Sequence, residues 1–380
     1  MKPPHVYALL PVLLSLMGSR QIPEQDQSVC SENHATMDTL VKTGQNVRLL
    51  FWNVENLFDY RDDTTSQDEE FTSRGTMHWT YSKLRVKLSR VAKTMLAAGE
   101  WVPPGIIGLC EIENRYVLDK LVFESPLKPF LYRVIHRDSP DPRGIDVALL
   151  YREAVFTPLH SRWLSVHFPF DPASRTRDIL YVKGVLLDTD TVHLFVNHWP
   201  SRRGGEKASA PRREFVASVL RTIADSILHA DTRFGIRDMR DEDRESRIDY
   251  PFIVIMGDFN DEPENESIYR VLQAKHPDSV ATPLDLVNLM RPMVHREGSH
   301  KFREHWGLLD QFIISGAFLL PGSKLRIDPA SASIFRPDFL LEEDQKYLGQ
   351  KPKRTYLGPR YRGGVSDHLP VVVEIKKLRN

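Results

Sequence analysis

Short apolar runs alternate along the chain with longer segments of mixed character. The runs are rich in branched and aromatic side chains and cover residues 47–52, 105–110, 131–135, 145–151, 179–187, 192–196, 252–256, 308–314 and 369–375. Runs of this length and composition are typical of β-strands buried in a sheet. Segments 84–95 and 215–227 instead carry apolar residues three and four positions apart, as on one face of a helix. The pattern predicts an α/β protein with many strands and interspersed helices.

Two segments lack this pattern and set the predicted boundaries of the domain. Residues 20–45 are polar without a sustained period, which indicates a flexible leader. Residues 231–249 mix acids and arginines without an apolar stripe, which favours a solvated insertion over a linker between domains. Because polar residues suited to chemistry lie on both sides of this insertion, we expect one catalytic domain spanning residues 46–378.

The first residues have the pattern of an export signal. An apolar run from Val6 to Met17 follows Lys2; it is short for a membrane span but suits the core of a signal peptide. We therefore expect residues 1–19 to be a signal peptide and the protein to be secreted or periplasmic. Pro11 inside the run and a weak cleavage site at 18–20 leave a frayed or membrane-anchored N-terminus as the alternative.

Composition narrows the classes of partner and cofactor. Hydrophobic residues make up 41% and charged residues 27% of the 380 residues, the balance of a soluble globular protein. Lys plus Arg (51) equals Asp plus Glu (51), so any attraction for phosphate must be local. The two cysteines, Cys30 and Cys110, indicate neither a disulfide framework nor a thiolate zinc site. No stable protein partner is indicated, and we expect a monomer.

Polar side chains able to bind metal or phosphate stand where the predicted strands end or begin. They are Asn53, Glu55, Glu111, Asn197, His198, Asp258, Asn260, Asp310, Asp367 and His368. Each alone has an ordinary explanation as a turn or helix-cap residue, but together they can gather at one edge of a rigid sheet. Alternation along a strand would place Asn53 with Glu55, and Asp258 with Asn260, on shared faces. The many oxygen donors favour Mg²⁺, Mn²⁺ or Ca²⁺ over zinc.

Six short motifs follow one another in a characteristic order. They are WNVEN at 52–56, LCEIEN at 109–114, NHWP at 197–200, GDFN at 257–260, LD at 309–310 and SDHLP at 366–370. The ordered set resembles the endonuclease/exonuclease/phosphatase superfamily over essentially the whole chain after the leader. The resemblance implies a four-layered α/β sandwich, in which two mixed β-sheets pack face to face, helices lie outside, and the active site occupies one edge.

The resemblance also implies a divalent metal ion held by carboxylates. Glu111 corresponds to the main metal ligand, with Asn53 and Asp367 beside it, and the ion would be Mg²⁺ or the related Mn²⁺ or Ca²⁺. Glu55 stands where many family members carry an acid, and it either belongs to the surroundings of the metal or caps the chain locally. We expect Glu113 to be structural.

A second group of residues would act on the phosphate itself. By the same resemblance, Asp258 orients or deprotonates the attacking water, and Asn260 donates to a phosphate oxygen. His198 and His368 match the two active-site histidines of the family, and Asp310 matches the acid that polarises one of them or touches the metal. The sequence leaves open which carboxylate partners which histidine.

Arginines near these motifs are candidates for binding substrate phosphates. Arg143, in an Arg-Gly-Ile-Asp stretch, either brings a guanidinium to phosphate or belongs to a plain turn before a strand. Arg202 and Arg203 precede two glycines directly after the NHWP motif. That loop is either a phosphate-binding loop or a solvated basic loop.

A basic segment before the SDHLP motif bears on the substrate. It contains Lys351, Lys353, Arg354, Arg360 and Arg362, with Tyr356 and Tyr361 among them. Such a mixture suits the backbone and bases of a nucleic acid, and the alternative is a solvated loop. The sequence predicts an enzyme that hydrolyses a phosphate ester, foremost a phosphodiester in a nuclease-like reaction. The alternatives are a phosphatase, a sphingomyelinase-like phospholipid phosphodiesterase, or a catalytically silent binding module of the same fold.

Overall fold

The computed structural model of the protein describes residues 46–100, 102–230 and 250–378. The predicted signal peptide, leader and solvated insertion lie outside the described residues, so export and cleavage stay predictions. Within the described part of the chain, none of the helices combines the length and the apolarity needed to cross a membrane.

The first sheet contains the strands nearest both ends of the described chain. Its order is β14-β20-β1-β2-β4-β3, with β15 also pairing with β20. The strands are β1 (Asn46–Leu57), β2 (Ile106–Ile112), β3 (Tyr132–His136), β4 (Asp146–Arg152), β14 (Leu325–Ile327), β15 (Ser333–Ile334) and β20 (Val371–Lys377). Only β1 and β2 run parallel here; β20 pairs with β1, and β4 with β2, in antiparallel fashion.

The second sheet is formed by the middle of the chain in the order β5-β6-β7-β8-β13-β10-β9. The strands are β5 (Phe156–Leu164), β6 (Ile179–Leu186), β7 (Asp190–His198), β8 (Phe252–Asp258), β9 (Ala274–Lys275), β10 (Leu286–Asn288) and β13 (Asp310–Ser315). The central strands β7 and β8 run parallel, and β13 pairs with β8 in antiparallel fashion. Both sheets are therefore mixed.

Three two-stranded hairpins extend from these sheets. They pair β11 (His300–Phe302) with β12 (His305–Gly307), β16 (Leu341–Glu343) with β17 (Gln350–Pro352), and β18 (Tyr356–Leu357) with β19 (Arg360–Tyr361). Short 3-10 turns and one π-helical turn, Ser267–Val271, connect other elements.

Helices cover the outer face of each sheet. In the described residues these are α1 (Tyr81–Ala98), α2 (Arg115–Phe123) and α3 (Glu206–Leu228). Thr80 and Asn114 cap the first two helices by accepting from the backbone N–H of Lys83 and Val117. Helices α1 and α2 pack against the first sheet, and α3 packs against the second. The predicted four-layered α/β sandwich is confirmed.

The core between the two sheets depends on close packing of large apolar side chains. Both faces of β1 and β8 are almost completely buried, which explains why these strands are continuous apolar runs. At Gly108 in β2, a Cβ atom would lie 2.6 Å from the sulfur of Met256 in β8 and 3.1 Å from the ring of Phe51. Glycine therefore lets the two sheets approach each other at this point.

Strand direction brings the motifs to one edge of the sandwich. The carboxyl ends of β1 and β2 lie side by side, and so do those of β7 and β8, where His198 is in register with Asp258. The antiparallel neighbour β13 begins at the same edge, with Asp310 opposite Asp258. The segment before β20 reaches the edge as well, because Ser366 Oγ donates to the carbonyl of Asn53 at 2.6 Å.

Every predicted apolar run overlaps a strand, and both predicted helices lie within α1 and α3. Strand β5 was not predicted, because it is an edge strand whose side chains are mostly half-buried or exposed. Helix α2 was also missed, since its nine residues follow the LCEIEN motif with little room for a periodic pattern.

Candidate active site

Asp258, the last residue of β8, lies at the centre of the polar cluster. Its Oδ2 accepts a hydrogen bond from Nδ2 of Asn53 at 3.0 Å. The same oxygen lies 3.7 Å from Nε2 of His198 and 3.9 Å from Nε2 of His368. Burial raises the pKa of Asp258 to about 7, with a further contribution from Asp310 against the opposing effect of His368. This buried carboxylate therefore lies between two imidazoles.

His368 forms a buried pair with Asp310. Its Nδ1 lies within hydrogen-bonding distance, 2.7 Å, of Oδ2 of Asp310, and Ser299 Oγ donates to the same oxygen at 2.6 Å. Although burial opposes it, Asp310 and Asp258 raise the pKa of His368 well above its ordinary value. The partner that the sequence left open is thus Asp310, and the pair favours a positively charged His368.

His198 differs from His368 in its electrostatic surroundings. Burial, helped by the positive charges of Arg177 and Arg143, lowers the pKa of His198 well below its ordinary value. Its Nδ1 is buried and has no hydrogen-bond partner among the described residues. Arg177 fixes this residue through the main chain, since its Nε donates to the carbonyl of His198 at 3.2 Å and its Nη2 to that of Trp199 at 2.5 Å.

Arg177 is a residue that the sequence reasoning did not select. Its guanidinium is buried and also forms an ion pair with Asp141 at 2.9 Å. The chain between β5 and β6 that carries Arg177 contains no recurrent motif, so no sequence signal marked it. His300 was missed as well; its ring centroid lies 4.7 Å from that of His368, and burial lowers the pKa of His300 to about 4.

Glu111 projects toward the same edge from a β-bulge. The register of β2 against β4 shifts between Cys110 and Ile112, and Glu111 adopts a positive φ of 60°. Bulges and left-handed backbone at non-glycine residues commonly aim side chains into functional sites. The carboxylate accepts from the backbone N–H of Asn56 at 2.8 Å and weakly from Nδ2 of Asn53 at 3.4 Å.

The residues present fit a divalent cation. Glu111 is half-buried, and among the described residues no Lys, Arg or His lies within ion-pair distance of its carboxylate. One oxygen of Asp310, Oδ1, is buried without a hydrogen-bond partner. Ligand atoms of Asp258, Asp310 and His368 also lie within 4.8 Å of one another, but the contact of His368 with Asp310 assigns this trio to proton transfer and not to the metal ion. A partly buried carboxylate without a cation, set among oxygen donors, suits Mg²⁺, Mn²⁺ or Ca²⁺.

Asp367 is already paired with a cation of the protein. Its Oδ2 lies 2.9 Å from Nη2 of Arg354, and the same nitrogen lies 2.8 Å from Oε1 of Glu55. Although burial works in the opposite direction, Arg354 lowers the pKa of Asp367. Glu55 also accepts from the backbone N–H of Thr355 at 2.7 Å. Glu55 therefore anchors the segment at 354–355 instead of capping a helix.

Strict alternation along the strands does not hold at the site. Glu55, within β1, and Asn260, just after β8, have positive φ angles of 50° and 51°, so the backbone is not extended at either residue. Asn260 donates from its backbone to Oδ1 of Asp258 at 2.9 Å and from Nδ2 to the carbonyl of Trp199 at 3.0 Å. The expected shared faces of Asn53 with Glu55 and of Asp258 with Asn260 are thus replaced by bulges and local hydrogen bonds.

The arginine candidates have different environments. Arg143 lies at the rim of the site, where its Nη2 donates to Oδ1 of Asn56 at 2.7 Å. Arg202 is engaged within the fold, since its Nε donates to the carbonyl of Asn260 at 2.7 Å and its Nη2 lies 3.4 Å from Asp261. Arg203 is exposed and forms no ion pair within the described chain.

The basic segment before SDHLP is largely neutralised. Lys351 lies 3.6 Å from Asp344, and Arg362 lies 3.3 Å from Glu342. Arg354 contacts Asp367 at the site, whereas Lys353 lines a different cavity with Arg90 and Lys93. The sequence suggested one continuous basic strip for a polyanion, but the folded segment does not form it.

We expect Arg354 and Lys353 to respond very differently to substitution by methionine. Arg354→Met should lower kcat/KM roughly 10- to 100-fold, the usual scale when a partner that orients metal or catalytic ligands is lost. Lys353→Met should leave kcat/KM close to that of the wild type and serves as the matched control. The measurement is steady-state hydrolysis of a generic phosphodiester, with melting temperatures to verify folding. Equal losses in the two variants would contradict the assignment of Arg354 to the site.

Comparisons with known proteins agree with this architecture. The family model described as "Endonuclease/Exonuclease/phosphatase family" matches residues 48–377. None of the curated proteins compared with the chain matches it. Among solved structures, a humanised D. rerio TDP2 with 14 mutations shares 13% identity at a TM-score of 0.50, covering 88% of this chain and 100% of its own.

Two bacterial structures have the same degree of similarity. An endonuclease/exonuclease/phosphatase family protein from Bacteroides thetaiotaomicron shares 15% identity at a TM-score of 0.50, covering 88% of this chain and 96% of its own. An endonuclease/exonuclease/phosphatase from Bacteroides vulgatus shares 14% identity at a TM-score of 0.50, with coverage of 88% and 99%. Such identities establish the fold alone. Because the family model spans nearly the whole described chain, the protein belongs to the endonuclease/exonuclease/phosphatase family and is, in this broad sense, a phosphoesterase.

Proposed function

We propose that the protein hydrolyses a phosphodiester through attack by water at this edge of the sheets. The observation that carries the proposal is the position of Asp258, whose Oδ2 lies 3.7 Å from His198 and 3.9 Å from His368. A carboxylate placed between two imidazoles can orient a water molecule and accept its proton while both rings face the same phosphate.

The two histidines would have different tasks. His368, kept protonated by Asp310 at 2.7 Å, would neutralise charge that develops on the phosphate oxygens or donate a proton to the leaving group. His198, kept neutral by burial and by nearby arginines, would donate a hydrogen bond without adding a charge. Asn260 holds the backbone next to Asp258 and so fixes the position of the base.

A divalent ion would be held by Glu111, Asn53 and Asp367, the last of which also forms the ion pair with Arg354. The oxygen-rich donor set favours Mg²⁺, with Mn²⁺ or Ca²⁺ as related choices. Such an ion, when bound, supplies Lewis-acid stabilisation of the phosphate oxygens. Asn53 also donates to Asp258 at 3.0 Å, so the same side chain connects the metal ligands with the proposed base.

A phosphodiester is the substrate that we propose. Four carboxylates, from Glu111, Asp258, Asp310 and Asp367, lie at this edge, and the protein itself pairs Asp310 with His368 and Asp367 with Arg354. A nucleic acid is the diester that we favour. A phosphatase or a phospholipid phosphodiesterase of the same fold is the alternative, because the fold does not fix the substrate.

A substrate panel tests the proposal. The purified protein is assayed on bis(p-nitrophenyl) phosphate, p-nitrophenyl phosphate, DNA, RNA, sphingomyelin and inositol phosphates, each with Mg²⁺, Mn²⁺, Ca²⁺ or excess chelator. We expect faster cleavage of diesters than of monoesters and loss of activity in chelator. Preference for a monoester would indicate a phosphatase, and preference for sphingomyelin a lipid diesterase. Absence of hydrolysis with every metal would indicate a silent binding module.

A further inference from the structure

A cavity of about 230 Å³ adjoins the proposed metal ligands. Its apolar wall, which we call the aromatic pocket, is formed by Phe71, Met77, Trp79 and Tyr356. The side facing the active site is formed in part by Asn56, whose backbone donates to Glu111. The proposed attack of water on the phosphate does not itself require this cavity.

The walls of the aromatic pocket are fixed by contacts outside the cavity. Trp79 donates from Nε1 to the carbonyl of Phe58 at 2.9 Å, and the ring of Phe58 stacks on that of Phe71 at 4.3 Å. Tyr356 donates from its hydroxyl to the carbonyl of Met77 at 2.8 Å. Side chains held in this way form a preorganised pocket, and a ligand that enters it does not have to order the walls.

The rest of the cavity is polar and charged. Glu55 and Arg354 line it beside the ion pair with Asp367. Lys87 also lines it, and its buried ammonium donates to the carbonyl of Glu55 and to Oγ1 of Thr355. An ammonium group has three N–H donors, so these two bonds leave one for a ligand. The ion pairs of Arg354 and the two hydrogen bonds of Lys87 already partner these charges, so a ligand that carries hydrogen-bonding atoms can add to them, whereas an acyl chain cannot.

We propose that the aromatic pocket binds the nucleobase of the nucleotide that carries the scissile phosphate. A nucleobase has two flat faces that stack on aromatic side chains and an edge of nitrogen and oxygen atoms for Lys87, Asn56 or Arg354. The volume of about 230 Å³ suits a single ring system and not a longer apolar group. This inference rests on the proposed phosphodiesterase activity and specifies its substrate class.

Two chromogenic esters with the same leaving group test the pocket. They are thymidine 5′-(p-nitrophenyl phosphate) and methyl p-nitrophenyl phosphate, which differ in the presence of the nucleoside. We expect the wild type to favour the thymidine ester by at least ~10-fold in kcat/KM, mainly through KM, since stacking of the base strengthens binding of the ester. Met77→Trp fills the pocket and should bring the ratio between the two esters close to one.

Controls separate a filled pocket from a damaged fold. Met77→Phe adds less volume and should lower the ratio by a smaller factor. Met293→Trp, at another partly buried methionine, should keep the wild-type ratio. Equal use of both esters by the wild type, or an unchanged ratio in both Met77 variants, overturns the pocket assignment while leaving the phosphodiesterase proposal in place. Hydrolysis of neither ester by the wild type contradicts the phosphodiesterase proposal, and the inference fails with it.

Discussion

Replacing Glu111 with glutamine is expected to lower kcat by at least ~10²-fold and to weaken the binding of Mg²⁺, with little effect on folding. Glutamine has nearly the same shape, and its remaining oxygen can still accept from the backbone N–H of Asn56. What it lacks is the negative charge that a divalent ion requires. The measurements are kcat over a Mg²⁺ titration, the dissociation constant for Mg²⁺ by calorimetry, and the melting temperature.

Glu113 offers a matched control two residues further along the chain. It is buried, and its carboxylate accepts from the backbone N–H of Asp59 at 2.5 Å. Burial raises the pKa of Glu113 to about 9, which favours the uncharged carboxyl, a poor ligand for a divalent ion. Glu113→Gln should therefore leave Mg²⁺ affinity unchanged. Full activity of Glu111→Gln, or of the wild type in excess chelator, would refute the metal assignment.

The strands and the polar cluster were accessible to sequence reasoning for a simple physical reason. Strands such as β1 and β8, buried on both faces, must be apolar at nearly every position, so they are conspicuous in the sequence. A polar residue directly after such a run lies where the regular pairing of its strand stops. Asp258 is the last residue of β8, and Asn53 lies in β1 where the pairing with β2 becomes irregular, so the two come together although 205 residues separate them.

Contacts that depend on loops could not be anticipated in this way. Arg354 reaches Glu55 across 299 residues of sequence, and only the folded path of its loop reveals the ion pair. The basic segment suggested a surface for polyanions because its sequence does not show the acids that pair with it. In the fold, Lys351, Arg354 and Arg362 form ion pairs with acidic side chains. Arg202 likewise belongs to a glycine-flanked loop whose sequence suits phosphate, but it bonds the backbone of Asn260 instead. Propensity carries no information about such long-range pairings.

The local geometry of the bulges was equally inaccessible. Alternation with a period of two assumes extended backbone, and the positive φ angles at Glu55, Glu111 and Asn260 interrupt it. With Asn56, at a φ of 52°, four non-glycine residues of this small cluster have left-handed backbone, which is costly, and tertiary contacts must hold it in place. The site is thus fixed by the packing of the two sheets, which a linear pattern does not contain.

Replacing either His368 or His198 with alanine is expected to lower kcat by at least ~10²-fold, the usual scale for a general acid–base or charge-stabilising group. For His368, the loss should depend on Asp310. The 2.7 Å contact between them keeps the imidazole charged and orients its Nε2 toward Asp258. Asp310→Asn removes the negative charge that raises the pKa of His368. A smaller fraction of the histidine is then protonated, and kcat should fall substantially.

A double-mutant cycle distinguishes this arrangement from two independent contributions. If Asp310 acts through His368, the double variant should be little slower than His368→Ala alone, since groups that act as a unit are not additive. His193→Gln serves as the control. It changes another buried histidine on β7, whose pKa burial lowers to about 4, at a position away from the site, and it should retain normal turnover. Additive losses for Asp310→Asn and His368→Ala would show that Asp310 acts independently of His368. Near-normal turnover in His198→Ala would identify His198 as a structural residue.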